Sequence, residues 1–499
     1  MILKMYRVEL SCLFVKNYCG FSPIAIIKRD AALLAGIKKV FSDGKKGWIE
    51  HVKDLAKKAK IAETSIRKPI ISDCLRADTV DSEIVRRLGG VEISLKSLEI
   101  KETSEGFDRK GLLEISRDRL YQDMRHSRFP HKSNIKLVNF ESKNGLEIVR
   151  SFPPDVAVTI TDQCNANCLF CNYKPGSHHS ENRFSLEDIK KMTWLKYVTK
   201  LGMGGGVGDP LMNREFLEIF RYLSSRYPHL ILRVITNGIS LNREICEEFA
   251  GNLARIRISL NAATKTTWEK LMRTRGFERV CRSVSELSEL KREKNIDKPE
   301  IILLMTVSRQ NIHEAVAFVE LADRLGAQAV NYSFFSKSVM KRCDMALEES
   351  MYFDKSQSDR LLEQAAKRAD TLGIKVFDRP LPFGEKGCDI FQGERVNSGP
   401  QNCYLPWQTC YLVRSRALED RACMNFCCAG VETGIEYDHA YLTEETFTHL
   451  WNHPYIQAAR RSVNYSSVTH PVCNFCRTVN REDPANYRAG ADDRSFQTE

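Results

Sequence analysis

Six times between residues 153 and 335, a short run of β-branched and aliphatic residues gives way to an amphipathic stretch, and no other feature of the chain constrains the fold as strongly. The pattern predicts strands at 156–160, 202–206, 230–235, 256–260, 301–307 and 329–334. Helices are predicted at 186–198, 214–225, 243–250, 266–272, 280–293 and 312–325. Regular strand–helix alternation lays parallel strands side by side under covering helices. Eight such units close a barrel and six do not. The expected fold class is therefore α/β, with an open (β/α)6 partial barrel over residues 150–336.

The flanks differ in texture. Residues 1–130 read as an α+β N-terminal domain of unassigned role. It has helical stretches at 49–62 and 81–88, a strand at 91–100, and a faint helix-turn-helix pattern at 55–66. Residues 337–402 read as a helical bridge, with a helix at 358–372, and a Pro/Gly-rich loop. Residues 403–480 are cysteine-rich with few long apolar runs, the composition of a small domain that depends on metal. Residues 481–499 are polar and read as a mobile tail.

No apolar run approaches the ~20 residues that cross a bilayer. The first fifteen residues interleave Lys4, Arg7 and Glu9 with short apolar pieces and offer no signal-peptide cleavage site. A cytoplasmic location, with no membrane contact and with reduced thiols, is the expectation. The 17 cysteines then read as metal ligands where they cluster. They cluster at 164–171 and again between Cys403 and Cys476; the others are scattered, as small buried hydrophobes are. The formal charge is +11, and residues 1–60 hold 13 Lys or Arg against 5 Asp or Glu. That basic segment suits RNA, DNA or an acidic peptide, and equally a plain solvated face. Its aromatics (Tyr6, Phe14, Tyr18, Phe21, Phe41, Trp48) form no stacking platform, which disfavours a nucleic-acid partner.

Directly after the first strand comes Thr161-Asp-Gln-Cys164-Asn-Ala-Asn-Cys168-Leu-Phe-Cys171-Asn172. A four-iron cluster normally takes four thiolates. Three in one loop leave one iron without a protein ligand, and an open coordination position is what a catalytic metal site needs. The competing assignment is a structural zinc held by the three cysteines and His178 or His179. Further on lies Gly204-Gly205-Gly206-Val-Gly208-Asp209-Pro210, where glycine lets a nucleoside with an amino-acid tail approach the backbone. A tight barrel turn would also use such glycines.

Together these segments resemble the radical S-adenosylmethionine (SAM) superfamily. CxxxCxxC with an aromatic, Phe170, before the last cysteine is similar to its cluster loop. The glycine segment resembles the one that receives the SAM amino group, although the family usually has Gly-Glu-Pro where this chain has Gly208-Asp209-Pro210. Thr236-Asn237-Gly238 resembles the turn after the third strand. Ser259 and Asn261, with Arg273 further on, resemble the polar groups that meet the SAM carboxylate. The resemblance covers about 155–335. It implies a 4Fe–4S cluster on Cys164, Cys168 and Cys171. It also implies SAM contacts from Phe170, Gly205, Gly206, Gly208, Asp209, Thr236, Asn237, Ser259, Asn261 and Arg273. The implied reaction is reductive cleavage of SAM to a 5′-deoxyadenosyl radical that abstracts hydrogen from a substrate.

Beyond Cys403-Tyr-Leu-Pro-Trp407 come Cys423, Cys427 and Cys428, then Trp451-Asn452, then Cys473-Asn-Phe-Cys476. This order resembles the SPASM or twitch extension and implies one auxiliary iron–sulfur cluster, best assigned to Cys403, Cys428, Cys473 and Cys476. Cys423 or Cys427 could replace Cys428, and Cys410 is a further candidate; a four-cysteine zinc ribbon is the competing assignment. The extension implies modification of a peptide or protein, or dehydrogenation of a small molecule, with a flavodoxin- or ferredoxin-like reductant. The alternatives are an iron–sulfur carrier without radical chemistry and an RNA-modifying radical SAM enzyme. Substrate, oligomeric state and the fate of SAM are not legible in the sequence.

Overall fold

The computed structural model describes residues 109–172, 183–204, 207–335, 343–377, 403–415, 421–427, 434–437, 442–464 and 470, together with four short strands nearer the N-terminus. The chain divides into two compact units, residues 1–151 and 152–499.

In the first unit β1 (Leu10–Asn17) pairs antiparallel with β2 (Gly20–Ile27), and β3 (Val91–Ile93) with β4 (Ile100–Glu102). The single strand expected over 91–100 is two, because Ile93 pairs with Ile100 and the run folds back on itself. The helices expected at 49–62 and 81–88, and the pattern at 55–66, lie outside the described residues. Two helices follow, α1 (Arg109–His126) and α2 (Pro130–Lys143). Buried Glu141 on α2 accepts the backbone N–H groups of Arg150 and Ser151 at 2.7 and 3.1 Å, and burial raises its pKa. That grip draws the segment up to Ser151 into the first unit, past the boundary at 130 read from the sequence.

The second unit runs β5 (Asp155–Thr159), α3 (Leu186–Lys191), β6 (Lys200–Met203), α4 (Phe216–Arg226), β7 (Ile231–Thr236), α5 (Arg243–Phe249) and β8 (Arg255–Ser259). It continues with α6 (Lys265–Met272), α7 (Phe277–Glu293), β9 (Glu300–Val307), α8 (Ala315–Arg324) and β10 (Ala329–Phe334). These are the strands and helices the alternation predicts. Their helices bury one stripe each: Phe216, Ile219, Phe220 and Leu223 on α4 recur at the helical period. Side chains also fix the helix starts. Ser185 and Asp188 form a capping box on α3, and Asn242 and Thr264 cap α5 and α6.

The helix expected at 358–372 is present, and the sheet extends further on both flanks than the sequence reading had it. The bridge over 337–402 contains α9 (Lys355–Leu372), which ends at Gly373 in the left-handed region and feeds β11 (Lys375–Phe377) into the sheet parallel to β10. The cysteine-rich region contributes to the same sheet. After α10 (Leu405–Gln408), β12 (Thr409–Ser415) pairs parallel with β5, and β13 (Arg421–Asn425) and β14 (Ile435–Tyr437) continue antiparallel. One ten-stranded sheet results, in the order β11-β10-β9-β8-β7-β6-β5-β12-β13-β14. Without β12, the edge of β5 would present unpaired backbone groups. Helices α11 (Glu444–Trp451) and α12 (Pro454–Asn464) close the described part. Phe447 of α11 stacks on Trp194 at 3.9 Å, and the Trp194 indole donates to the Leu442 carbonyl at 3.0 Å. Among the described residues no helix is long and apolar enough to cross a membrane.

Candidate metal and cofactor site

The loop that leaves β5 carries Cys164, Cys168 and Cys171, and the backbone pins it from three sides. Asp209 N donates to the Gln163 carbonyl at 2.7 Å. Asn167 N and Leu169 N donate to the Met272 and Leu271 carbonyls at the end of α6, at 3.1 and 2.8 Å. Met345 N donates to Leu169 O at 3.0 Å. Leu169 and Phe170 pack against the apolar cluster of Leu271, Phe335, Cys343 and Met345. Phe170 is thus seated by packing, whatever else it meets.

None of the three cysteines is joined in a disulfide. Burial, then the negative charge of Asp209 and Cys171, pushes Cys164 up to about 11. Burial, then Cys171 and Cys164, pushes Cys168 well above the ordinary thiol range. Buried sulfurs gathered in one loop beside a carboxylate form a donor set short of positive charge, which a cationic iron–sulfur group relieves. In that sense the residues fit such a cluster. Among the described residues no three His, Cys, Asp or Glu side chains close around a single metal ion. His178 and His179 lie outside the described residues.

Asp209 is 2% exposed, and its carboxylate is fully engaged within the protein. It accepts the Thr236 hydroxyl at 2.9 and 3.0 Å, Asn237 N at 2.6 Å and Leu211 N at 3.0 Å. Burial raises its pKa, and those hydrogen bonds oppose the rise. Asp209 therefore clasps the turn after β7 to the cluster loop. Gly208 has φ +70°, and a Cβ there would sit 2.3 Å from Thr161 O; only glycine allows this approach. Gly205 and Gly206 lie outside the described residues.

The Thr236 hydroxyl also receives Gly238 N at 3.0 Å. Asn237 is saturated too: its Oδ1 accepts Ile239 N at 2.8 Å, and its Nδ2 reaches Asn165 Oδ1 at 2.8 Å and Cys164 Sγ at 3.6 Å. Asn261 sits at φ +61° at the end of β8. Its Nδ2 donates to Ser259 O at 3.1 Å and to Met272 Sδ at 3.4 Å, and its Oδ1 accepts Thr306 N at 2.8 Å. Met272 Sδ lies 3.5 Å from Cys168 Sγ. Arg273, also at positive φ, pairs with Asp344. Ser259 differs from these residues, since its hydroxyl has no hydrogen bond among the described residues. Met272, Asp344, Met345 and Asn165 escaped the sequence reading. Only Asn165, inside the CxxxCxxC spacing, carried any signal.

A cleft of about 490 Å³ opens beside Cys164 and Gln163, between Met212, Arg214, Leu217 and Ile245. Its lining includes none of Thr236, Asn237, Ser259, Asn261 or Arg273.

Of the second cysteine group, Cys428, Cys473 and Cys476 lie outside the described residues. Cys403 is half-buried just before α10. The register Tyr411↔Asn425 brings Phe426 and Cys427 beside the start of β12, where the Thr409 hydroxyl meets the carbonyls of Leu405 and Phe426. His470, three residues before Cys473, packs edge-on against Phe426 at 5.3 Å and Tyr455 at 4.5 Å. The described flanks of that cysteine set thus converge on one end of β12. Cys423 packs with Val207 and Val413, and Cys410 is fully buried with its pKa raised by burial alone, the state of a small core hydrophobe. Thr409 pairs with Asp155 and Val413 with Thr159, so this end of β12 lies at the start of β5 and the Cys164 loop beyond its finish. Four residues at about 3.3 Å each separate the two ends by roughly 13 Å before any loop is added.

The site is thus a loop of three thiols at the carboxyl end of the first strand of the parallel part of the sheet. Residues 158–322 match the family model of the radical SAM superfamily. It is similar to the probable GTP 3′,8-cyclase of Saccharolobus solfataricus, 28% identical over 180 residues, which is 36% of this chain and 55% of that one. It is also similar to the GTP 3′,8-cyclase of Paenarthrobacter nicotinovorans, 26% identical over 138 residues, 26% of this chain and 38% of that one. The matches thus span about half or less of those relatives. Among solved structures, Streptococcus suis SuiB bound to precursor peptide SuiA aligns with 80% of this chain and 95% of its own, at 13% identity and a TM-score of 0.49.

Proposed function

We propose that Cys164, Cys168 and Cys171 hold a 4Fe–4S cluster against which SAM binds, and that the enzyme abstracts hydrogen from a peptide or protein substrate. The observation that carries the cluster assignment is the loop itself, three cysteines spaced CxxxCxxC and pinned by the backbone of Asp209, Leu271, Met272 and Met345. The bound cluster supplies one electron and an open coordination position for reductive cleavage of SAM. The protein's part is to bind and orient. The Ser259 hydroxyl, at the carboxyl end of β8 and without a hydrogen bond among the described residues, is the group best suited to receive the SAM carboxylate. Asp209, Thr236, Asn237 and Asn261 hold the surrounding turns, and Phe170 packs the loop from behind. A flavodoxin- or ferredoxin-like protein delivers the electron.

The peptide substrate is supported by the order of cysteines from Cys403 to Cys476, which resembles the extension of peptide-modifying enzymes. Cys403, Cys428, Cys473 and Cys476 remain the set we assign to an auxiliary cluster. A second reading, a nucleotide substrate, is favoured by relatives named GTP 3′,8-cyclase. Anaerobically reconstituted protein should release 5′-deoxyadenosine from SAM with a strong reductant, and Ser259→Ala should weaken SAM binding at unchanged iron content. Zinc without iron at Cys164, Cys168 and Cys171 would sink the assignment. Mass spectrometry of a co-expressed candidate peptide, set against turnover of GTP, separates the two substrates.

A further inference from the structure

We propose that Asn237 sets the reduction potential of the cluster, by donating an N–H···S hydrogen bond from its side-chain amide to the sulfur of Cys164. The inference rests on the cluster reading above and concerns a residue outside the ligand loop.

The geometry leaves the amide no other orientation. Asn237 Oδ1 receives the backbone N–H of Ile239 at 2.8 Å, so the oxygen faces its own turn. Nδ2 then points at the loop, where one hydrogen meets Asn165 Oδ1 at 2.8 Å and the other Cys164 Sγ at 3.6 Å. A flipped amide would set oxygen against oxygen at Asn165 and donor against donor at Ile239. The acceptor is fixed in turn, because Asn165 Nδ2 donates to Ser240 Oγ at 2.8 Å. The backbone of Asn237 cannot drift, since its N–H is held by the Asp209 carboxylate at 2.6 Å. Asn237 itself is buried.

Cys164 receives the backbone N–H of Ala166 from within its own loop and the Asn237 amide from outside it, whereas Met272 Sδ at Cys168 is a weak acceptor. A hydrogen bond to a ligating thiolate withdraws charge from the metal and favours the more negative, reduced state of the cluster. Its removal leaves the three thiolates bound and makes reduction harder. The same bond also aims the Cys164 sulfur, which makes Asn237 a positioning residue and not a catalytic one.

The test is a redox titration of the reconstituted holoprotein, followed by the EPR signal of the reduced cluster, on wild type, Asn237→Ala and Ser240→Ala. Where Cys403 and its companions also hold a cluster, the titration uses Cys476→Ala as background. Asn237→Ala should retain iron at Cys164, Cys168 and Cys171 and shift the midpoint to more negative potential. Ser240→Ala loosens the same network one bond further out and should leave the midpoint in place. Equal shifts in both variants, or none in Asn237→Ala, would overturn the proposal. If Asn237→Ala fails to load iron, wild type labelled with 15N in the asparagine side chain decides. A 15N coupling to the reduced cluster in pulsed EPR is expected, and its absence refutes the bond. A protein that binds no iron at all refutes the cluster reading instead.

Discussion

Asp209 stands where the resemblance would place a carboxylate one methylene longer, and its protein partners make it a clasp. Three buried donors converge on it: the Thr236 hydroxyl, Asn237 N and Leu211 N, at 2.6–3.0 Å. Asp209→Ala strands all three. A buried donor without an acceptor costs about 1–3 kcal/mol, and the Thr236 hydroxyl can rotate toward water or a backbone carbonyl, so the total is roughly 3–5 kcal/mol. Asp209→Asn keeps the shape and one acceptor but turns an NH2 toward another donor, and should lose about half as much. Asp209→Glu restores the family's residue but forces a methylene into a packed niche, at about 1–3 kcal/mol.

The assay is urea unfolding of the apoprotein followed by circular dichroism, with iron content and SAM affinity measured in parallel. The expected order of stability is wild type, then Asn and Glu, then Ala. Asp209→Ala keeps its backbone N–H to Gln163 O but releases the turn at Thr236 and Asn237 that its carboxylate clasps, and Asn237 meets Cys164 Sγ, so the variant should lose iron along with SAM affinity. An Ala variant as stable as wild type, with full iron and weakened SAM binding only, would refute the clasp and return Asp209 to the cofactor.

Gly208→Ala should abolish iron loading, since its Cβ would lie 2.3 Å from Thr161 O at φ +70°; normal loading by inductively coupled plasma analysis would contradict this. Glu314 accepts Ala263 N at 2.6 Å, Thr264 N at 3.1 Å and Thr264 Oγ1 at 2.6 Å, so Glu314→Ala should destabilise the unit by about 2–4 kcal/mol in the same unfolding assay. Phe447→Ala opens the stack on Trp194 and should cost about 3–5 kcal/mol, exposing residues 442–464 to limited proteolysis while 152–335 resists. In the apoprotein Cys164 titrates at about 11 against an ordinary 9.0, so the folded thiol holds its proton longer than the unfolded one. Its contribution to stability is complete below pH 9.0 and disappears as pH rises through about 11; alkylation by iodoacetamide should be slow at pH 8 and accelerate up to that pH.

The barrel was legible because its signal is local. Strand and helix periods can be counted along the chain, and the cysteine spacing needs one loop. What the sequence hid is long-range. Nothing around residue 409 announces that β12 will pair with β5, some 250 positions earlier, because a short buried parallel strand lacks the alternation that marks an amphipathic one. Separation along the chain also hid the Trp194–Phe447 stack and, over 71 positions, the Arg273–Asp344 pair. The candidate site divides along this line. The residue types at Asp209, Thr236, Asn237 and Asn261 could be read from motifs, but their roles depend on which partners reach them first. Asn261 is spent on Ser259 O, Met272 Sδ and Thr306 N, while the hydroxyl of its neighbour Ser259 has no hydrogen bond among the described residues. A motif of polar residues therefore names a neighbourhood. Within it, the side chains whose hydrogen bonds are already satisfied build the walls, and the one left unsatisfied at the strand's end is the position where a ligand gains most from binding.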